Sequence, residues 1–412
     1  MNTTKSKNEQ VQGDQEADAA LIGSVMQAQL QNILVLALQK PVRIRTEAVT
    51  CISTLLTQGL VSPVHCIPNL VALETDQVVS IRDLAHSQLV ALHEKFPMLL
   101  NTPSIQGIFL SHSFQLNAFG TSSVYTKDKY KHDYCLFGRL YSNCIRTAKA
   151  QRNMFLKALV NQFSDSGSML GNKNAKPSSL VPMGSTLQYL CYLAQLISAL
   201  PYDLEDEPLY IIYLINRVVT LKLGPTLDNI KELFAHAGAP SDIMEDEDTD
   251  FSDVDIADYI PTMQPTKDDA RRLQTVCCAA FAVSLLIRVK FHLKNMYQLE
   301  NEKCMTYQPG NSSKATEQPT MQSGRTSKLK VPSLPEAEDP IEWSWHVFVH
   351  AWEAARDDQH RMDFEAQEDV AMMNSSGKTR RRKGSRRRKL MQPKHVESTD
   401  DDDVEFVEGF AE

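Results

Sequence analysis

A shift of 37 residues lays one stretch of this chain onto the next. Ile44 falls on Ile81, Arg45 on Arg82, Ala48 on Ala85, Ile52 on Leu89 and Leu55 on Leu92. These positions step by three or four residues, so they line one face of a helix. Between the matched helices, residues 63–73 (PVHCIPNLVAL) form a shorter apolar helix. The unit is a helix, a turn and a second helix, with an arginine near its start and small alanines in its packing face. One such pair cannot bury its apolar stripe alone, so neighbouring pairs must stack. A unit of this length fits HEAT-type repeats of about 40 residues. The expected fold class is all-α, a HEAT-repeat α-solenoid.

The chain divides accordingly. Residues 1–23 are polar and read as disordered, and helical repeats are expected over 24–237. Residues 238–268 read as an acidic flexible linker, because 242–258 hold nine acidic residues and no basic one. Residues 269–299 form a long helix completing the solenoid, with Leu273, Val276, Cys277, Ala280, Phe281, Ser284, Ile287 and Phe291 as its inner stripe. A polar linker (300–340), a C-terminal helix (341–374) and a disordered tail (375–412), basic and then acidic, follow.

Composition excludes several function classes. Only 16 of 412 residues are glycine, and no GxGxxG, GxxxxGK[ST] or GxSxG occurs. No enzyme and no cofactor is expected. No uninterrupted apolar run approaches the roughly 20 residues of a membrane span, so no membrane contact is expected. The eight cysteines contain no CxxC, which fits buried free thiols in a reducing compartment rather than a zinc site. His346 and His350 share a helix face, but Val347 stands where a zinc protease needs Glu, and no metal is expected.

Charge is segregated. Lys378, Arg380, Arg381, Arg382, Lys383, Arg386, Arg387, Arg388 and Lys389 supply nine positive charges, so with a net charge of −8 the rest carries −17. The tail suits nuclear import, and also nonspecific phosphate contact. On the long helix, Arg271, Arg272, Arg288, Lys290 and Lys294 are either a solvated face or a surface for DNA or an acidic partner. Tyr130, Tyr134 and Tyr141 lie among Lys127, Lys129, Lys131 and Arg139, a mixture that suits nucleic acid, although core tyrosines give the same pattern.

Several segments resemble one family. QGLVSPVHCIPNLVALETD, IRDLAHSQLVALHEKFP, GIFLSHSFQL and LYSNCIRTAKAQRNMFLKALVNQF are similar, in this order, to the C-terminal HEAT region of the Nipped-B-like cohesin-loading family. LQYLCYLAQLISALPYDLEDEPLYIIYLINRVVTL and CCAAFAVSLLIRVKFHLKNMYQL continue the match over roughly residues 40–300, and ALPYDLEDEPLYII is its most specific part. The resemblance implies a hook-shaped solenoid that binds the cohesin ring (its SMC ATPases and kleisin) and DNA in the nucleus. It implies stimulation of the ring's ATPase without catalysis by this chain. The family's N-terminal region, which binds the small loader subunit, is not matched, so no contact with that subunit is expected here. Without the resemblance, the repeats alone equally fit a nuclear transport or assembly adaptor. Phosphorylation of Ser385 should weaken phosphate contact by the tail, because it adds negative charge inside the basic cluster. Titrating a 375–392 peptide against duplex DNA with and without the phosphate checks this; equal affinities would sink it.

Overall fold

The repeat is written in hydrogen bonds as well as in apolar spacing. Arg45 donates to the carbonyls of Gln39 (3.1 Å) and Lys40 (2.6 Å). Arg82, 37 residues on, donates to the carbonyls of Asp76 (2.6 Å) and Gln77 (3.3 Å), the same two positions in its own unit. Each arginine thus ties the first turn of its helix to the end of the preceding loop. Arg45 also grips the Asp76 carboxylate with two nitrogens, at 2.6 and 3.1 Å, and both side chains are buried. Asp76 therefore serves two consecutive units, through its side chain and through its backbone.

The computed structural model describes residues 21–127, 133–164, 183–240, 244, 250–251, 253–310, 318–320, 328–333 and 339–359. Five helices open the chain: α1 (Leu21–Leu36), α2 (Val42–Thr57), α3 (Pro63–Leu73), α4 (Val79–Lys95) and α5 (Asn101–Phe119). Pro41 stands before α2 and Pro63 opens α3, where a missing N–H costs nothing. Gly107 lets α5 cross α3 closely: a Cβ there would lie 2.5 Å from Val71 Cβ. A two-stranded antiparallel hairpin follows, β1 (Tyr125–Lys127) and β2 (Asp133–Cys135), with Thr126 opposite Tyr134. Then come α6 (Lys149–Ser164), α7 (Met183–Ala199), α8 (Asp206–Ala237), α9 (Lys267–Tyr297), the short α10 (Asn301–Thr306) and α11 (residues 340–359).

α8 and α9 pair along much of their length, as α3 and α5 do. The Gln264 amide donates to the Ala237 carbonyl (3.1 Å), which returns the chain to the end of α8 and makes the two helices antiparallel. α8 starts on Asp206, Glu207 and Pro208, as its macrodipole and a first-turn proline favour. Thr266 caps α9 by accepting from the Asp269 amide (3.2 Å). Every residue from Ala280 to Ile287 is buried, so α9 is enclosed on all sides there. It is the one helix among the described residues long and apolar enough to cross a membrane, yet 72% of that window is buried: it is the core helix.

Three expectations need correction. The stretch 238–268 is not a solvated linker throughout. Met244, Phe251, Ile256 and Met263 are buried, and Phe251 lies 5.1 Å, ring to ring, from both Phe348 and Trp352 of α11. The acids occupy positions between these apolar anchors, and Asp250 pairs with Arg356 at 3.1 Å. The stretch 300–340 is likewise tied down where it is described. Thr320 donates its amide to the Asp203 carbonyl (2.9 Å), Glu205 donates to Gln318 (3.0 Å), and Leu329 is buried. α11 is capped by Asp339, whose carboxylate accepts from the amides of Ile341 (2.8 Å) and Glu342 (3.1 Å). Of the expected disorder over 1–23, residues 21–23 instead form the first turn of α1; residues 1–20, the far part of the 341–374 helix and the 375–412 tail lie outside the described residues.

α5 carries a buried polar seam against α7. Ser111 lies 2.9 Å from the Tyr192 hydroxyl, which also accepts from Gln115 (3.0 Å), and Gln115 accepts from the Ser123 amide ahead of the hairpin (2.7 Å). His112 is buried beside the Tyr189 and Tyr192 rings, and burial holds its pKa below the ordinary 6.5. Its unfolded form therefore takes up a proton that the folded form refuses. Stability should be intact above pH 6.5 and fall as pH drops below it, and His112→Gln should flatten that fall in thermal melts at stepped pH. Gly107→Ala should cost about 1–3 kcal/mol in urea unfolding, because backbone and Val71 must shift to admit one methyl.

Candidate partner-binding site

The sequence pattern from Cys135 to Phe163 reads as one helix, but the chain does something else there. After β2 it makes a short turn of α-helix (Gly138–Leu140) and then a π-helical turn (Tyr141–Ile145), closed by the Arg146 amide donating to the Tyr141 carbonyl at 2.9 Å. π-turns are rare and gather at functional sites. This one turns Tyr141, Cys144 and Ile145 inward and leaves Ser142 and Asn143 facing a cleft. The Cys144 carbonyl is served by Gln151 (3.0 Å), which also holds the Pro97 carbonyl (2.8 Å).

The cleft has a volume of about 410 Å³ and is mostly apolar. Leu200, Pro201 and Met296 line it, the hairpin contributes Tyr125 and Tyr134, and Arg139 and Lys328 bring charge. Both cations are matched. Lys328 pairs with Asp133 (2.9 Å) and lies 5.0 Å from the centre of the Tyr125 ring. Arg139 reaches Asp83 (2.7 Å) and the buried Glu74 (3.4 Å). With its positive charge neutralised locally, the cleft suits an aromatic or aliphatic side chain better than a phosphate. Burial pushes the Cys135 and Cys144 thiols up to about 12, so neither is a nucleophile near neutral pH. His86 places Nδ1 2.6 Å from Glu74, but its Nε2 is taken by the Asn143 amide at 3.0 Å, so the pair is not poised as a base.

Behind the π-turn lies a buried charge network built on residues 203–207. Arg152 contacts both Asp206 and Glu207, the latter at 3.7 Å. Glu207 also accepts from the Tyr141 hydroxyl (2.6 Å), and Asp206 from Tyr307 (2.8 Å) and Lys149 (3.4 Å). Arg146 pairs with Asp203, and Lys303 with Glu205 at 3.4 Å. Burial raises the Glu207 pKa above the ordinary carboxylate value, against the opposing pull of Tyr141, Arg152 and Arg146. Burial, then Glu207 itself, raises the Tyr141 hydroxyl well above its usual range.

The candidate residues fall unevenly. Tyr134 and Arg139 line the cleft, Tyr141 is in the charge network, and Lys127 is exposed. Arg271 and Arg272 are exposed; Arg288 and Lys294 are half-buried. Lys290 is corrected: it is buried and paired with Asp358 at 2.5 Å, so its charge is spent within the chain. It lies on the face of α9 that meets α11, which the sequence spacing could not reveal. His346 and His350 pair with Glu342 (3.8 Å) and Glu353 (3.7 Å), and no cluster able to hold a metal occurs among the described residues. Tyr130, Lys129, Lys131 and the basic tail (Lys378, Arg380–Lys383, Arg386–Lys389) lie outside the described residues. Glu74, His86, Asn143 and Lys328 were missed, because each is a single polar residue whose partner is far away in sequence.

Arg152→Ala should destabilise the chain by about 3–5 kcal/mol, since it strands two buried carboxylates. Glu207→Gln should cost far less than Arg152→Ala. Because folding raises this pKa, the stability it carries is present below pH 4.5 and lost as pH rises through the folded value. The melting temperature of Glu207→Gln should therefore gain on the parent as pH rises; a difference constant with pH would contradict this.

Comparison with known proteins places this architecture. Residues 22–218 match the family model described as "Sister chromatid cohesion C-terminus". The Drosophila melanogaster Nipped-B protein is 25% identical over 312 residues, 74% of this chain and 14% of the fly protein. The Danio rerio Nipped-B-like protein A is 27% identical over 231 residues, 55% of this chain and 9% of the fish protein. The Caenorhabditis elegans Nipped-B-like protein scc-2 is 23% identical over 343 residues, 79% of this chain and 15% of the worm protein. The chain thus spans a small fraction of these relatives' length. Its fold matches the Chaetomium thermophilum cohesin loader SCC2, C-terminal fragment, with a TM-score of 0.52 at 13% identity, over 86% of this chain and 22% of that one. The repeats, the π-turn and the acidic start of α8 all lie within residues 22–218, the range over which the chain is similar to the C-terminal domain of the Nipped-B family.

Proposed function

We propose that this chain is a scaffold in cohesin loading and sister chromatid cohesion. In this reading it binds cohesin, through the SMC ATPases and kleisin of the ring, together with DNA, and it acts in the nucleus. Its binding energy would favour engagement of the ring's ATPase heads, with no bond broken by the chain itself. The observation that supports this is the match to the family model of the sister chromatid cohesion C-terminus over 22–218, the range that supplies most of the cleft and the charge network behind it. A surface whose charges are already compensated internally loses little freedom on binding, as a scaffold requires. Arg271, Arg272, Arg288, Lys294 and the tail cations Lys378–Lys389 are the proposed DNA contacts.

The deciding experiment is capture of purified cohesin by the immobilised full chain, followed by ATPase assays of the captured ring. Retention and a raised ATPase rate are expected; a folded chain that retains no cohesin overturns the proposal. Separately, DNA affinity should fall steeply with salt. Replacing the nine tail cations by Gln should shallow the slope of log K against log salt by about 0.9 for each DNA phosphate that the tail no longer neutralises.

A further inference from the structure

Around the buried charge network, cations meet carboxylates: Arg146, Lys149, Arg152 and Lys303 each pair with at least one. The outer face of α6 and α8 departs from that pattern. Lys157, Arg217 and Lys222 are exposed, and no carboxylate among the described residues pairs with any of them. Lys222 donates to a carbonyl instead, and Arg217 lies 6.0 Å from the centre of the Tyr213 ring. Residues 149–164 and 208–227 contain no acid, in a chain whose net charge is −8.

The two acid-free stretches lie side by side and run in the same direction. Arg152 meets Asp206 and Glu207 where both helices begin, and Lys222 donates to the carbonyl of Ser164, the last residue of α6, at 2.5 Å. Both helices pack on α9, so the faces turned away from it form one surface. The exposed positions step by three or four: 150, 154, 157 and 161 on α6, and 217, 221 and 224 on α8. That surface is apolar as well as basic. Met154 is 54% exposed and Leu221 70%. From Asn216 to Thr226 no residue of α8 is buried, although Leu209 to Ile212 before it and Leu233 and Phe234 after it are. Pro225 lies in this bare stretch and has no N–H to offer the Leu221 carbonyl, which leaves an acceptor open there.

We infer that the joined outer face of α6 and α8 is a docking surface for an acidic, amphipathic helical segment of a partner protein. Two adjacent helices offer a groove that a third can fill with its apolar stripe. The stripe covers Leu221 and Met154, and the flanking carboxylates meet Lys157, Arg217 and Lys222. Complementary charge fixes the register of such a segment and speeds its arrival. Duplex DNA could use the same cations, but its phosphates gain nothing from two exposed aliphatic side chains between them.

The test uses the full chain and a fluorescent peptide of about 20 residues, with leucines at helical spacing along one face and glutamates filling most other positions. A second peptide has the same composition with its leucines scattered around the helix. Fluorescence anisotropy should show the striped peptide binding about tenfold more tightly than the scattered one. Lys157→Glu with Arg217→Glu should weaken the striped peptide by about tenfold, and Leu221→Gln by several-fold, in chains of native helicity. Reversing the exposed cations Arg43 and Lys95 to Glu should leave its affinity unchanged. No binding of the striped peptide, or equal binding of the two peptides, overturns the inference. So does a folded Lys157→Glu, Arg217→Glu chain that loses affinity for duplex DNA but keeps it for the striped peptide, since the surface would then serve nucleic acid.

Discussion

Arg152 sits where three separate stretches of chain meet, and its guanidinium is the reason they can. It faces Asp206 and Glu207 at the start of α8, and those carboxylates also take hydroxyls from Tyr141 of the π-turn and Tyr307 just after α10. Burying acids at a helix start satisfies the macrodipole but is costly in a dry interior unless a cation is buried with them. Arg152 supplies that cation from α6. The arrangement fixes the depth at which α8 begins, and hence how α8 and α9 lie against the repeats. Breaking any one partner leaves the others charged and desolvated, so the network acts as a unit.

The same logic recurs in miniature at Asp76. One residue answers the arginine of the preceding unit with its carboxylate and that of its own unit with its carbonyl. Repeats are often pictured as apolar faces pressed together, and apolar burial does supply most of the stabilisation. It does not set register, because a greasy surface tolerates sliding. Directional bonds from Arg45 and Arg82 to fixed carbonyls remove that freedom, and the 37-residue period is as much a spacing of arginines as of isoleucines.

This explains what could be read from the sequence. The helix pairs, α3 to its end residues, and the core position of α9 follow from apolar spacing, which is local and repeated. The π-turn could not be read, because Cys135 to Phe163 keeps steps of three and four while the pairing of Arg146 with Asp203 and of Tyr141 with Glu207 decides the backbone. The acidic 238–268 stretch misled for a related reason. The nine acids of 242–258 outweighed Phe251, Ile256 and Met263 in composition, but single buried anchors suffice to pin a loop. Lys290 looked like the other cations of α9 because its partner, Asp358, is 68 residues away. The cleft is the extreme case: its wall residues come from the hairpin, the π-turn, the ends of α7 and α9, and Lys328.

All three tryptophans of the chain, Trp343, Trp345 and Trp352, lie on α11. Trp345 and Trp352 pack edge-on or tilted against Phe234, Phe251 and Phe348, and Lys231 sits 4.2 Å above the Trp352 ring. The intrinsic fluorescence of the molecule is therefore a local reporter. It follows the docking of one helix on the end of α8, while the repeats from α1 to α5 are optically silent at tryptophan wavelengths. Because stacked repeats can loosen unit by unit, an emission change and a loss of helical circular dichroism need not coincide in this protein, and the gap between them measures how far cooperativity reaches along the stack.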